Sequence, residues 1–258
     1  MSKRADMLKL DAHIHLQNRE WCGHFPECRS VVETISELKR MGINGAVFTT
    51  WRGVLGESEN DIEIANEEAL EAWEQHKDFL YPGLIMHPAF PETSLKWLRR
   101  FRDLDLFWAG EWVSNCFGKK DFDSPEFAPL FKACAENGMI VQLHNSPGVP
   151  VVARRYPDLT VIASHLTDPF LAEEADLPNV CVDISGYCGG LSYRILPRVR
   201  ALFGAERILF GTDFDGYDPE SFIIRVERDF TSDEQEKVFS GNLLRLLKQH
   251  SAKNVFQK

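Results

Sequence analysis

Along this chain, short apolar runs alternate with longer stretches in which apolar residues recur every three or four positions. The short runs are Met7–Leu16, Gly45–Thr50, Phe79–Met86, Phe107–Val113, Met139–His144, Thr160–His165, Val180–Ile184 and Ile208–Asp213. Several are nearly continuous in apolar residues, as strands are when helices cover both faces of a sheet. The helical stretches between them carry readable ends. Ser30-Val-Val-Glu33 is a capping box ahead of Val31, Ile35 and Leu38 on one helical face, and Gly42 stops that helix. Ser124-Pro125, Asp168-Pro169 and Asp218-Pro219 each set a capping residue before a proline at the first helical position. Asn137-Gly138 closes the helix before the fifth strand, and Ser232-Asp-Glu-Gln235 opens the last one.

Eight strands with helices between them predict a parallel sheet built from eight units of about 28 residues each. An open doubly wound sheet shares that alternation. Eight units in 258 residues leave little chain for anything else and favour an α/β fold of the closed (β/α)8 TIM-barrel type. No linker, low-complexity tract or repeat interrupts the alternation, so the expectation is a single domain over residues 1–258.

Composition narrows the function classes. The chain is 44% hydrophobic, with 18 Phe and 6 Trp, which a packed core requires and a disordered chain lacks. A net charge of −10 argues against a partner held through clustered Lys and Arg, and so against long nucleic acid. No run reaches the ~18–20 apolar residues of a membrane span. The charged opening Met1-Ser-Lys-Arg-Ala-Asp is followed by no apolar stretch, so no secretory leader is expected. The cysteines, at 22, 28, 116, 134, 181 and 188, match neither a zinc ribbon nor a disulfide framework. Reduced thiols in a cytoplasmic protein are the expectation, with Cys22-Gly-His24 and Cys28 read as an ordinary loop.

The chemistry gathers at strand ends. In Asp11-Ala-His13-Ile-His15, alternation along a strand sends His13 and His15 to one side, where two imidazoles can share one divalent ion. The same counting puts Glu111, His144, His165 and Asp213 at the last inward positions of the fourth, fifth, sixth and eighth strands. Ala109, Ala163 and Gly211 lie one layer below and leave them room. Phe210 and Thr212 are expected to point outward. Six metal-ligand side chains thus converge on the C-terminal mouth, where active sites of this fold lie. Asp11 shares the face of the histidine pair one layer deeper, either holding an imidazole tautomer or making a structural hydrogen bond. Arg52, after the second strand, can clamp an anion or sit in a surface salt bridge. His87, Asn145, Ser146, Ser185 and Tyr187 are further loop candidates for ligand contact, whereas Trp97, Leu98 and Phe101 have the spacing of core.

Together these motifs, with the tail Gly241-Asn242-Leu-Leu-Arg245, resemble the amidohydrolase superfamily, in its metal-dependent hydrolase and decarboxylase branch, over essentially the whole chain. The resemblance implies that His13, His15, His144 and Asp213 ligate one divalent ion, with His165 catalytic beside it. Glu111 departs from that pattern and is similar to the fourth-strand glutamate of TatD-like deoxyribonucleases. That likeness implies Glu111 bridging two ions, with His144 and His165 on the second. On either count, a cation lowers the pKa of its bound water, with Asp213 as general base and His165 orienting water or substrate. The leading expectation is a zinc-dependent hydrolase of a small polar ester, lactone or amide, with Mn or Mg as other ions. Its alternatives are a nonoxidative decarboxylase of a small carboxylic acid and a TatD-like phosphodiesterase. The partner expected is a small molecule, anionic if Arg52 and Tyr187 bind it, with no membrane and with a homo-oligomer left open.

Overall fold

The computed structural model describes residues 7–17, 29–113, 120–167, 169–187, 192–251 and 256. Within them run β1 (Leu10–Leu16), β2 (Gly45–Thr50), β3 (Leu80–Pro82), β4 (Trp108–Trp112), β5 (Ile140–His144), β6 (Thr160–Ser164), β7 (Val180–Asp183) and β8 (Ile208–Leu209). The helices are α1 (Val31–Arg40), α2 (Trp51–Leu55), α3 (Glu59–Gln75), α4 (Pro91–Asp103), α5 (Ala128–Glu136), α6 (Gly148–Arg155), α7 (Leu171–Ala175), α8 (Ile195–Phe203), α9 (Pro219–Asp229), α10 (Ser232–Glu236) and α11 (Asn242–His250). Successive strands pair in parallel in the orders β1-β2-β3 and β4-β5-β6-β7-β8.

Two seams close the ring. Past β3, Leu84 pairs with Ala109, its N–H donating to the Trp108 carbonyl at 2.9 Å. Past β8, Ile14 pairs with Phe214, and Asp213 N–H donates to the His13 carbonyl at 2.8 Å. Every strand then has two neighbours and the sheet has no edge, the closed barrel that the alternation predicts. No helix among the described residues is long and apolar enough to cross a membrane.

Local signals explain several of the helix ends. Ser30 accepts from the Glu33 N–H at 3.3 Å while Glu33 returns to the Ser30 N–H at 2.8 Å, and α1 buries Ile35 and Leu38. Gly42, at φ +82°, takes the left-handed conformation past its end. Asp218 caps α9 through the Glu220 N–H at 2.9 Å. Trp97, Leu98 and Phe101 of α4 are core.

Two ends differ from expectation. Ser124 makes no side-chain cap, because Pro125–Phe127 form a 3-10 turn before α5. The closing segment starts one residue earlier than Ser232: Thr231 is the cap and Glu234 its reciprocal partner. The Gly241-Asn242 motif has a structural use, since Asn242 Nδ2 donates to the carbonyls of Ala205 (2.7 Å) and Ile208 (2.8 Å) and pins α11 under β8. Asp168 and the Cys22–Cys28 loop lie outside the described residues, as do Cys116 and Cys188.

Candidate metal centre

At the C-terminal mouth five strands and the turns after them deliver six side chains. His13 and His15 bring their Nε2 atoms to 3.2 Å from each other. Asp213 Oδ1 lies 3.2 Å from His15 Nε2 and 3.9 Å from His13 Nε2. Glu111 sits between the two halves of the cluster. Its Oε2 is 3.2 Å from His13 Nε2 and 3.6 Å from His15 Nε2. Its Oε1 is 2.9 Å from His165 Nε2 and 3.1 Å from His144 Nδ1. All six predicted side chains therefore meet at one rim.

They do not all arrive by strand alternation. β6 ends at Ser164 and β8 at Leu209, so His165 and Asp213 lie beyond regular strand. Both adopt left-handed backbone, at φ +74° and +63°, which turns their side chains back over the barrel. The predicted outward position of Thr212 is corrected for the same reason. Thr212 is fully buried, and its hydroxyl donates to Asp11 Oδ2 at 2.6 Å. Gly211 supplies the predicted room: a Cβ there would lie 3.1 Å from His13 Cβ and 3.3 Å from Asp183 Cβ.

The two buried carboxylates beneath the cluster divide the work differently from expectation. Asp11 accepts from the backbone N–H groups of His13 and Thr212, both at 3.0 Å, and burial pushes its carboxyl up to about 7 against the pull of the Thr212 hydroxyl. It holds backbone, not imidazole. Asp183 of β7 holds the imidazole, its Oδ2 lying 3.1 Å from His13 Nδ1. Burial alone would raise the Asp183 pKa, but His13 and hydrogen bonds including that of Ser185 carry it well below the usual carboxylate range. The sequence signal for Asp183 was present: Cys181 and Asp183 share a side by the same alternation that located His144.

A cation fits this arrangement on the chemistry of its donors. His15 Nδ1 is engaged at 2.9 Å by the Thr49 hydroxyl, and His13 Nδ1 by Asp183, so both Nε2 atoms are left facing the centre. Two groups of potential ligands, His13/His15/Asp213 and His13/Glu111/His165, have ligand atoms within 4.8 Å of one another. The 3.2 Å Nε2 separation matches the ~3.3 Å between two ligands of a tetrahedral ion bound at ~2.0–2.1 Å. His144 belongs to neither group. His13 and Glu111 compensate each other's charge across their 3.2 Å contact. Burial opposes charge on both partners, yet Glu111 and Asp183 hold the His13 pKa well above its ordinary value, and the histidines hold that of Glu111 well below.

Above the cluster opens a cavity of about 350 Å³. Its floor is His15, Glu111, His144, His165 and Asp213, and its wall is Trp51, Val54, Leu55, Val113 and Tyr217. Arg52 and Tyr187 do not line it. Arg52 is turned from the mouth to pair with Asp61 at 3.1 Å and Glu68 at 3.7 Å. The cause is helical geometry. Thr50 caps α2 through the Gly53 N–H, Trp51 takes the position facing the mouth, and its neighbour, about 100° around the helix, faces α3. The Trp51 ring packs 4.5 Å from His15, and its Nε1 donates to Asp215 at 3.0 Å. Tyr187 is 62% exposed outside the cavity. Ser185 is buried among the histidines instead of facing a ligand, and His87 Nδ1 accepts from the Ala89 N–H. A larger open groove, about 870 Å³ between α3 and α4, is lined by surface charges such as Glu71 and Arg100 and holds none of the predicted ligands.

The profile of the amidohydrolase family matches residues 10–249. The chain belongs to that family. Its relatives of known structure share the barrel at low identity. A 5-carboxyvanillate decarboxylase from Novosphingobium aromaticivorans, crystallised with manganese and 4-hydroxy-3-methoxy-5-nitrobenzoic acid, is 14% identical, with TM-score 0.76 over 95% of this chain and 97% of that one. A 2,6-dihydroxybenzoate decarboxylase from Rhizobium is 15% identical, with TM-score 0.75 over 94% and 99%. An uncharacterised TIM-barrel protein from Bordetella bronchiseptica is 20% identical, with TM-score 0.69 over 86% and 83%. No curated protein matches in sequence.

Proposed function

We propose that this amidohydrolase-family barrel is a divalent-metal-dependent decarboxylase of a small aromatic carboxylic acid. The observation that carries the reading is the division of the 350 Å³ cavity into a cation-fitted floor and an apolar wall topped by Trp51 and Tyr217. An acid group meets the floor while a planar ring lies along the wall. The 5-carboxyvanillate decarboxylase of similar fold, crystallised with a substituted benzoic acid, supports the same chemistry. Its manganese also favours that ion here over the zinc expected from the histidines, since nitrogen and carboxylate donors accept either.

In this reading His13, His15 and Asp213 would hold the ion, with Glu111 as a further candidate ligand. When bound, the ion polarises the carboxylate and any adjoining oxygen of the acid. The chain supplies what remains. Decarboxylation replaces the carboxyl group on its carbon by one proton: that proton adds, the bond to the carboxyl breaks, its electron pair returns to the ring, and carbon dioxide leaves. Asp213, partly open to the cavity, passes the proton, and His165 on the far side of Glu111 engages the substrate oxygen. The wall excludes water, which would otherwise compete.

Hydrolysis of an ester or lactone is the second reading. Its support is Glu111, whose two oxygens face two different histidine pairs and so suit two ions around a reactive water. One experiment separates them. Manganese- and zinc-loaded protein is offered hydroxybenzoates, esters, lactones and phosphodiesters. Carbon dioxide release from the hydroxybenzoates is the expected result, and turnover confined to the other arms would overturn the decarboxylase reading.

A further inference from the structure

The groove between α3 and α4 shares no lining residue with the cavity above the metal-ligand cluster, and its two walls carry opposite charge. One wall is Glu67, Glu71 and Glu74 of α3; the other is Lys96, Arg99 and Arg100 of α4. Between them lie the apolar groups Leu70, Trp73 and Leu104, the last two packed against the core while only partly buried.

Some of these charges are already paired. Lys96 meets Glu63 at 2.6 Å and Glu74 meets Lys77 at 3.4 Å. Asp103, an acid at the end of the basic wall, is taken by Arg102 at 2.9 Å. Glu67, Glu71, Arg99 and Arg100 are exposed and make no ion pair among the described residues. Arg100 lies against the Trp97 ring, 5.1 Å from its centroid. Unpaired acids and bases on facing walls, with apolar surface between them, are complementary to a second copy of themselves.

Helix geometry decides how two copies would meet. α3 and α4 run parallel, since Glu59 contacts Thr93 and Glu63 contacts both Lys96 and Trp97. Those contacts are 33–34 positions apart in sequence, so Glu67 stands level with Arg100, and Arg99 one residue above. A two-fold axis across the groove would lay α3 on α3 and acid on acid. An axis along the groove lays α3 of one copy over α4 of the other and keeps every residue at its own level. Glu67 then faces the partner's Arg99 and Arg100, and symmetry repeats the contact. The arginine stems cover the apolar strip, while the charges fix the register and exclude other pairings.

We propose that the α3–α4 groove is a self-complementary interface through which two copies of this chain form a symmetric dimer, with the two-fold axis running along the groove. The interface lies outside the metal centre and does not depend on the function proposed above.

The test is sedimentation equilibrium of the whole chain and of two charge-reversed variants, Glu67→Lys/Glu71→Lys and Arg99→Glu/Arg100→Glu. Wild-type protein sediments as a dimer whose dissociation constant rises with salt. Each variant alone sets like charges together in both halves of the interface, and its dissociation constant rises by about 100-fold or more. An equimolar mixture of the two variants restores the dimer, because each reversed wall meets the other and the unaltered walls meet as before. Circular dichroism checks that each variant is folded; if a double variant is not, Glu67→Lys and Arg100→Glu carry the same mixing test. A wild-type chain that stays monomeric up to millimolar concentration overturns the proposal. So does a dimer that either variant leaves intact, or a pair of folded variants that remain monomeric when mixed.

Discussion

The two halves of the site astride Glu111 are built to different standards. On one side, His13 and His15 are each 2% exposed, and each has its outer nitrogen engaged, by Asp183 and Thr49. On the other, the His144 side chain keeps 43% of its surface exposed, and its Nδ1 is directed at Glu111 itself. A cation site needs its lone pairs aimed before the ion arrives, because reorienting a ring at binding costs affinity. A group that meets substrate tolerates, and uses, solvent access. On the function proposed above, the difference assigns the cation to the His13/His15/Asp213 half and the meeting with substrate to the His144 half.

The comparison breaks first at Asp213. Asp213→Asn keeps the shape and removes the proton carrier, so turnover falls by about 10²–10⁴-fold with the circular dichroism spectrum unchanged. An unaltered rate would remove Asp213 from the chemistry. His144→Gln sharpens the contrast. Turnover falls by about 10–100-fold, the loss of one charge-assisted hydrogen bond of ~1.5–3 kcal/mol, while manganese content by elemental analysis stays at the wild-type value. Loss of metal in this variant would make the two halves equivalent.

The smallest effect concerns what stands behind His144. Its neighbour Asn145 donates to Glu174 at 3.4 Å, and burial pushes the fully buried Glu174 carboxyl up to about 8. A carboxyl whose folded pKa exceeds its unfolded value leaves the folded state binding more protons between roughly pH 4.5 and 8. Stability therefore falls as pH rises through that window and levels off above it. Glu174→Gln removes the slope, so the melting temperature falls less between pH 5 and pH 8.5 in the variant than in the wild type. Equal slopes would mean that Glu174 titrates normally and does not brace this half.

Much of this was legible along the chain, and what was not has a physical cause. His13, His15 and His144 follow from strand alternation because a strand's side-chain period is local, whereas Glu111 sits where β4 slips register between Ala109 and Trp112 and Gly110 takes φ +104°. His165 and Asp213 were placed at the right rim by the same counting, but left-handed turns past their strands put them there. Those turns also move Thr212 inward onto Asp11. At Trp51-Arg52, charge drew attention to the arginine, whereas helix geometry gives the cavity to the tryptophan.

The order of apolar and polar residues by itself determined an eight-unit barrel and the set of ligand types at its mouth, since both depend on contacts within a strand or between a strand and the helix that follows. Only the closed barrel decided which carboxylate holds which imidazole. Asp183 meets His13 across 170 positions of sequence, whereas Asp11, two residues away, reaches only its backbone. Pairing across the barrel is set by the register of strands that touch only when the sheet closes, and no local periodicity encodes it.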